Sequence, residues 1–312
     1  MEDIIPPVPR ELILKELTPD KFVRKTNKGN NEVYIFTYRD SPNLMQELGR
    51  LREISFREAG GGTGKSLDID EFDIGDHPYK QLIVWDPEAR EILGGYRFFI
   101  CRRDIDLSWL ATSHLFRFSN KFIREYLPYL VELGRSFVQP HYQQTGKSAR
   151  KGIFALDNLW DGLGAVVIDN PGIKYFFGKM TMYPHFKKEA RDLILYFLDK
   201  YFGDHEGLVI PINPLKPEYD EKEMEKIFSG KDYFENYKIL SQAVRNLGEN
   251  IPPLFNSYMN LSPTMKIFGT VINDEFGDVE ETGLMITLKD LYIDKVNRHL
   301  TTYNENYRLD EV

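Results

Sequence analysis

The stretch Glu132-Leu-Gly-Arg135-Ser-Phe-Val-Gln-Pro140-His-Tyr-Gln143-Gln-Thr-Gly146-Lys147-Ser148-Ala-Arg150-Lys151-Gly152 decides how this chain is read. An apolar, strand-like run ends at Pro140, a short polar turn follows, and Gly146-Lys147-Ser148 opens a long amphipathic helical pattern. At a strand-turn-helix junction the first helical amides have no intrahelical acceptor and converge on whatever lies over the turn. Such a junction is an anion cradle, suited to phosphate or pyrophosphate. Glu132 and Arg135 lie on the strand that feeds it, so a carboxylate and a guanidinium are expected close to the bound anion.

Working outward, Val33 to Tyr38 reads as a strand and Asn43 to Arg57 as a helix, with Leu44, Leu48, Leu51 and Ile54 on one face. Gln81–Trp85 and Ile92–Ile100 read as strands joined by the short turn Asp86-Pro-Glu-Ala-Arg90, a hairpin. Tyr129 to Val138 is the fourth strand. Lys151 to Asp169 carries Ile153, Leu156, Trp160, Leu163 and Val167 at steps of three and four, an amphipathic helix. Gly162 and Gly164 within it signal close backbone packing. Lys174 to Met182 is a strand and Glu189 to Tyr201 a helix. Met265 to Ile272 and Gly283 to Leu288 add two strands. Hairpins combined with a crossover imply an α/β (α+β) fold, a mixed central sheet flanked by helices. The expected organisation is a core whose first part spans 1–202, a charged helical insertion or lid at 203–250, and C-terminal strands at 251–312 that complete the core.

The formal net charge of -8 argues against nucleic acid as the main partner, because neutralising phosphates needs a basic surface. Lys147, Arg150 and Lys151 form a local basic exception beside the cradle, able to meet the phosphates of a cofactor or an acidic carrier protein. The single cysteine, Cys101, lies in an apolar strand and reads as a buried thiol. The start, Met1-Glu-Asp-Ile-Ile-Pro-Pro-Val-Pro, lacks the basic and apolar regions of a signal peptide, and no run approaches a membrane span. A reduced, cytoplasmic, soluble protein is expected. The 21 Phe and 18 Tyr offer wide apolar surfaces, for packing first and for an oily ligand second.

Ala59-Gly-Gly-Gly-Thr-Gly64-Lys65-Ser66 matches the letters of a nucleotide-binding P-loop. A P-loop follows a strand and opens a helix. Here a helical segment precedes it, and Asp68, Asp70, Glu71 and Asp73 follow where triphosphate would lie. A P-loop-type nucleotide-binding protein is thus a rival reading, as is a non-catalytic acyl-carrier-binding protein. The acidic run Asp70-Glu-Phe-Asp73 sits on a loop able to hold the ammonium of a small amine or to orient Arg52 and Arg97. No Gly-x-Ser-x-Gly elbow is present, and the six histidines show neither metal-ligand spacing nor the His-x4-Asp signature of glycerolipid acyltransferases. His141 and His185 read as bland loop residues. What remains is direct transfer of a group held by a phosphate-bearing carrier. For acyl transfer to an amine, Glu132 could take the amine proton through water, or orient substrate, or serve a structural ion pair with Arg97 or Arg135.

At these residues the chain resembles the GNAT superfamily, and within it the bacterial amino-acid-lipid N-acyltransferases. These are the ornithine-acyl-ACP and glycine N-acyltransferases, often labelled haemolysin-like, distantly similar to acyl-homoserine-lactone autoinducer synthases. Arg52-x3-Phe56, Asp70-Glu-Phe-Asp73, Gly95-Tyr-Arg97 and Glu132-Leu-Gly-Arg135 stand in the order of the shared motifs. Leu159-Trp-Asp-Gly-Leu163, Tyr175-Phe-Phe-Gly178 and Ile251-Pro-Pro-Leu-Phe-Asn-Ser-Tyr258 extend the likeness, which spans roughly residues 45 to 300. The turn departs from the superfamily pattern in having Ser148 after Gly146-Lys147, and the 203–250 insertion is longer than the pattern.

The resemblance implies an N-acyltransferase that moves a long-chain acyl group from acyl carrier protein, or from coenzyme A, to the amine of glycine or ornithine in aminolipid biosynthesis. Gln143, Gly146, Lys147 and Ser148 would bind the 4'-phosphopantetheine phosphate or the pyrophosphate of a co-substrate that is not held permanently. Arg52, Phe56, Asp70, Asp73 and Arg97 would form the substrate site, with Glu132 and Arg135 as the catalytic pair and no metal. A greasy product implies transient contact with the inner-membrane surface.

Overall fold

The computed structural model describes residues 1–143 and 154–304. Its centre is an eight-stranded sheet built from β1 (Phe22–Lys25), β2 (Glu32–Phe36), β3 (Lys80–Asp86), β4 (Glu91–Ile100), β6 (Leu130–Val138), β7 (Tyr175–Met182), β9 (Lys266–Asn273) and β10 (Val279–Thr287). The strand order is β1-β2-β3-β4-β6-β7-β10-β9. Every neighbouring pair is antiparallel except β6 and β7, which run parallel. A separate ribbon pairs β5 (Phe116–Phe118) with β8 (Val209–Pro211). The expected mixed sheet flanked by helices is what forms.

Strand alternation assigns the two faces. Leu82, Val84 and Leu93 pack beneath Leu159 and Leu163 of α6 (Ala155–Asp169) in the core that also holds Phe197 and Leu198 of α7 (Lys188–Phe202). Their neighbours Ile83, Trp85 and Ile92 point the other way, onto Leu44, Leu48 and Leu51 of α2 (Pro42–Glu58). Both faces are covered, so β3 reads as a continuous apolar run. A third cluster of Cys101, Phe116, Phe122, Phe177, Phe268 and Met285 fills the α2 side beneath β7, β9 and β10, with Phe122 supplied by α4 (Asn120–Glu125). In α6 the glycines mark close approach, since a Cβ on Gly164 would stand 2.3 Å from the His299 carbonyl oxygen in α11 (Ile293–His299).

The sequence places the long elements to within two residues, apart from the last strand, which starts at Val279, four residues before the expected Gly283, and the first turn of Lys151–Asp169, whose residues before Phe154 lie outside those described. It misses α1 (Arg10–Glu16), β1, β5, α4, α10 (Pro253–Met259) and α11, each too short to carry a period. Residues 203–250 contain α8 (Glu221–Ile227) and α9 (Tyr233–Asn246), and also the strand β8. The aromatic residues there pack on one another, with Phe228 stacked on Tyr196 of α7 and Tyr233 against Phe197 and Tyr201. No described helix is long and apolar enough to cross a membrane.

Candidate active site

Two irregularities in β6 create the site. Gly95 pairs with Phe137 and Arg97 with Gly134, so Tyr96 alone faces both Arg135 and Ser136, a β-bulge. Arg135 sits in the left-handed region with φ 50°, unusual for a residue with a side chain. On the other edge, the parallel ladder with β7 covers only Leu130–Glu132 against Tyr175–Phe177 and then stops. Gly178 follows at the end of that ladder, where a Cβ would stand 2.6 Å from the Leu133 carbonyl oxygen. Beyond it lies a cavity of about 610 Å³, lined by residues 133–138 of β6 and by Lys179 and Thr181 of β7.

The bulged arginine is held by a buried ion network. Asp70 is the N-cap of the one-turn helix α3 (Glu71–Ile74); its side chain accepts from the Phe72 amide while Asp73 accepts from the Asp70 amide, a capping box. The expected acidic loop is therefore a fixed turn. Asp73 accepts from Arg52 Nη1 and Nη2 at 3.1 Å each, from Arg97 Nη1 at 3.2 Å and from Gln81 Nε2 at 2.9 Å. Arg52 Nε also donates to Asp68 at 2.9 Å, and Arg97 Nη1 to Asp70 at 2.6 Å. Arg135 donates from Nε to Asp68 and from Nη2 to Asp70, and lies over the Phe276 ring at 4.2 Å. Three guanidiniums thus meet three carboxylates almost wholly out of water. Burial alone would raise the Asp68 and Asp70 carboxyls, but the arginines outweigh it and hold both below the usual range, with Arg135 foremost for Asp68 and Arg97 for Asp70.

Glu132 stands apart from that network. It is 1% exposed and is paired with neither Arg97 nor Arg135 in the described structure. Its carboxylate accepts from the amides of Ala111 at 3.1 Å and Thr112 at 2.8 Å, and from the Tyr79 hydroxyl. Burial, reinforced by Glu132, pushes the Tyr79 phenol far up, so it stays a donor. In place of the alternative ion pair with Arg97 or Arg135 stands an anchor that ties β6 to the two 3-10 turns Leu107–Trp109 and Ala111–His114.

The cavity has a divided lining. Phe56 of α2, Leu133, Phe137 and Val138 of β6, Leu156 of α6, and Pro252–Leu254 with Phe276 give it apolar walls. Tyr96 and Tyr258 add hydroxyls, both pushed up by burial. One corner is charged, formed by Arg135, Lys179 and Glu281. Of the residues singled out in the sequence, Phe56, Arg135 and Gln143 line this cavity; Arg52, Asp70, Asp73, Arg97 and Glu132 do not. Gly146, Lys147 and Ser148 lie outside the described residues, as does the predicted cradle helix start. The described chain continues from β6 into the short helix α5 (Pro140–Gln143), which puts His141 on a helical turn rather than in a loop. Sequence reasoning noted Asp68 only as part of the acidic run after Ser66 and passed over Tyr79, Lys179 and Glu281. A lysine and a threonine at alternating positions of the apolar run Tyr175-Phe-Phe-Gly-Lys179-Met-Thr181-Met182 were the available signal for Lys179.

The P-loop look-alike is occupied from within. It follows α2 rather than a strand, and the amides of Thr63 and Gly64 donate to the fully buried Glu53 carboxylate at 3.0 and 2.8 Å. An internal carboxylate fills the place a phosphate would take. Cys101 is buried, with its thiol pushed far up by burial and by Glu132, which disfavours the thiolate. Among the described residues no cluster of His, Cys, Asp and Glu is arranged to hold a metal.

A mixed sheet that parts at its one parallel strand pair, with a bulge and a cavity at the parting, is in keeping with a GNAT-type acyltransferase. The family model for an acetyltransferase (GNAT) domain matches residues 51–150. Over almost its full length the chain is 56% identical to the glycine N(alpha)-acyltransferase of Phocaeicola vulgatus, across 307 residues covering 97% of this chain and 94% of that one. It is 57% identical to the glycine N(alpha)-acyltransferase of Bacteroides thetaiotaomicron, across 311 residues covering 98% and 92%. The chain belongs to this family of N-acyltransferases and is an acyltransferase enzyme. Among solved structures, the loading GNATL domain of CurA from Lyngbya majuscula aligns over 84% of this chain and 99% of its own at 11% identity and a TM-score of 0.37, a likeness too loose to build on.

Proposed function

We propose that this enzyme transfers a long-chain acyl group from the thioester of an acyl carrier protein to the α-amino group of glycine, giving an N-acylglycine for aminolipid synthesis. The observation that carries the reading is the divided cavity at the end of the β6–β7 ladder, with long apolar walls for an acyl chain and one charged corner for a small polar acceptor. Near-full-length identity to two glycine enzymes supports glycine over ornithine. For the donor, Gln143 begins the arm of the carrier site in this reading, and Gly146, Lys147 and Ser148 continue it. Lys147, Arg150 and Lys151 favour an acidic carrier protein over free coenzyme A.

Within the site, Phe56 shapes the acyl wall and Arg135 faces the reacting groups. Arg52, Asp68, Asp70, Asp73 and Arg97 act through Arg135 as positioning residues. Glu132 positions β6, since its carboxylate is taken up by Tyr79, Ala111 and Thr112. Purified enzyme given acyl-ACP or acyl-CoA and glycine, ornithine or other amino acids should yield N-acylglycine by mass spectrometry, with release of free thiol and faster turnover of acyl-ACP. Absence of N-acylglycine with both donors refutes the reading. Faster use of ornithine refutes the acceptor, and faster use of acyl-CoA the donor.

A further inference from the structure

Beyond the ladder's end, alternation on β7 turns Lys179 and Thr181 toward the cavity, and β10 sets Glu281 opposite Thr181. Lys179 Nζ donates to Glu281 Oε2, Asn273 Nδ2 donates to the same oxygen at 3.1 Å, and Thr181 Oγ1 to Oε1 at 3.4 Å. The lysine side chain is 13% exposed and the glutamate 3%. A buried ion pair contributes little to stability compared with apolar residues of the same volume, because desolvating both ions offsets their attraction. This pair faces a cavity rather than a core, and apart from Arg135 the rest of the lining is uncharged.

The two charges are unequally secured. Glu281 keeps Asn273 and Thr181 when Lys179 turns away, so its carboxylate stays placed. Burial disfavours the Lys179 ammonium, and Arg135 nearby does so too, against the pull of Glu281. A second anion arriving beside Lys179 therefore relieves it. Arg135 is already engaged by Asp68 and Asp70.

We infer that the Lys179–Glu281 pair binds the acceptor amino acid, Lys179 taking its α-carboxylate while Glu281 faces its α-ammonium and accepts a proton from it. This rests on the acyl-transfer reading above. A zwitterion inserted into an opened ion pair replaces one contact by two and leaves no charge unpartnered. Glu281 takes one ammonium proton; the freed nitrogen lone pair forms the C–N bond as the C–S electrons leave on sulfur. The second N–H proton ends on that sulfur as the free thiol, and the proton on Glu281 returns to solvent. Among the described lining residues Glu281 is the sole carboxylate. A second ammonium, as in ornithine, would have no partner of its own, which selects a small uncharged side chain.

The test compares glycine with glycinamide, which lacks the carboxylate, in the full-length enzyme with acyl-ACP. Wild type should prefer glycine by about 100-fold or more in kcat/KM, since a site built for a charged group rejects the analogue without it. Equal use of the two by wild type overturns the inference with no variant needed. Lys179→Met should raise the glycine KM about 10- to 100-fold, leave the acyl-ACP KM unchanged and abolish the preference. Glu281→Gln, which keeps the bonds from Asn273 and Thr181 possible, should lower kcat about 100-fold with the glycine KM within a few fold. A retained preference in Lys179→Met, or a kcat within threefold of wild type in Glu281→Gln, overturns it. A wild-type enzyme that makes no N-acylglycine refutes the acyl-transfer reading instead.

Discussion

Replacing Asp73 by Asn changes one charge and almost no volume at the centre of the ion network. The wild-type group balances Arg52, Arg97 and Arg135 against Asp68, Asp70 and Asp73, and the variant leaves one uncompensated positive charge there. Asp73 accepts from five donors on Arg52, Arg97, Gln81 and the Asp70 amide, so the new Asn NH2 must point donors at donors. Breaking a buried pair by removing one partner costs about 3–5 kcal/mol. At the usual unfolding entropy per residue, a chain of this length should lose about 5–8 °C in Tm. Asp40→Asn is the control: Asp40 is 46% exposed and lies 3.6 Å from Lys21, so its loss should cost under about 1 kcal/mol. Urea melts followed by tryptophan fluorescence give both numbers. An Asp73→Asn variant no less stable than Asp40→Asn would show that the network is screened and does not hold the site.

Because Asp68 and Asp70 titrate below their unfolded values, their contribution is present above about pH 4 and is lost as pH falls further; urea midpoints between pH 7 and pH 3 should drop across that window. A stable midpoint down to pH 3 contradicts it. Glu132→Gln should lose about 2–3 kcal/mol from the bonds of Ala111, Thr112 and Tyr79 and lower kcat, while the pH dependence of kcat keeps its wild-type shape, which loss of a titrating base would alter. Gly178→Ala drives a Cβ to 2.6 Å from the Leu133 carbonyl, so calorimetry should show about 1–3 kcal/mol lost, with a matching fall in kcat/KM. Lys65→Ala should leave acyl transfer within about twofold, as surface substitutions usually do, and calorimetric titration should show no ATP binding before or after the change.

Much of the site was legible because its parts obey local rules. Arg97 shares a strand face with Gln81 and Glu132 by simple alternation across paired strands, whereas Asp70 and Asp73, read as an acidic loop, carry capping-box spacing that only the structure turns into a helical turn. Arg52 follows from helical period. The partners that escaped depend on pairings the chain does not announce. Lys179 and Glu281 are 102 residues apart and meet only through the β7–β10 register. Their parity is readable, but which face opens onto a cavity depends on where the β6–β7 ladder stops. Asp68 looked like a member of an acidic loop because its two arginine partners come from elements on either side of it in sequence.

The bulge explains why so many charges are spent behind a cavity that few of them touch. A left-handed arginine costs on the order of 1–3 kcal/mol and persists only where its surroundings over-determine it. Asp68, Asp70 and the Phe276 ring fix its side chain, Arg52 and Arg97 fix those carboxylates, and Glu132 fixes the strand three residues earlier through the 107–114 turns. Extra backbone inserted opposite Tyr96 lets β6 turn away from β7 just after their last shared hydrogen bonds. The four motifs of the sequence therefore belong together for a mechanical reason: between them they supply the displaced Arg135 and the groups that hold it, and the displacement opens the space in which the proposed acyl transfer would take place.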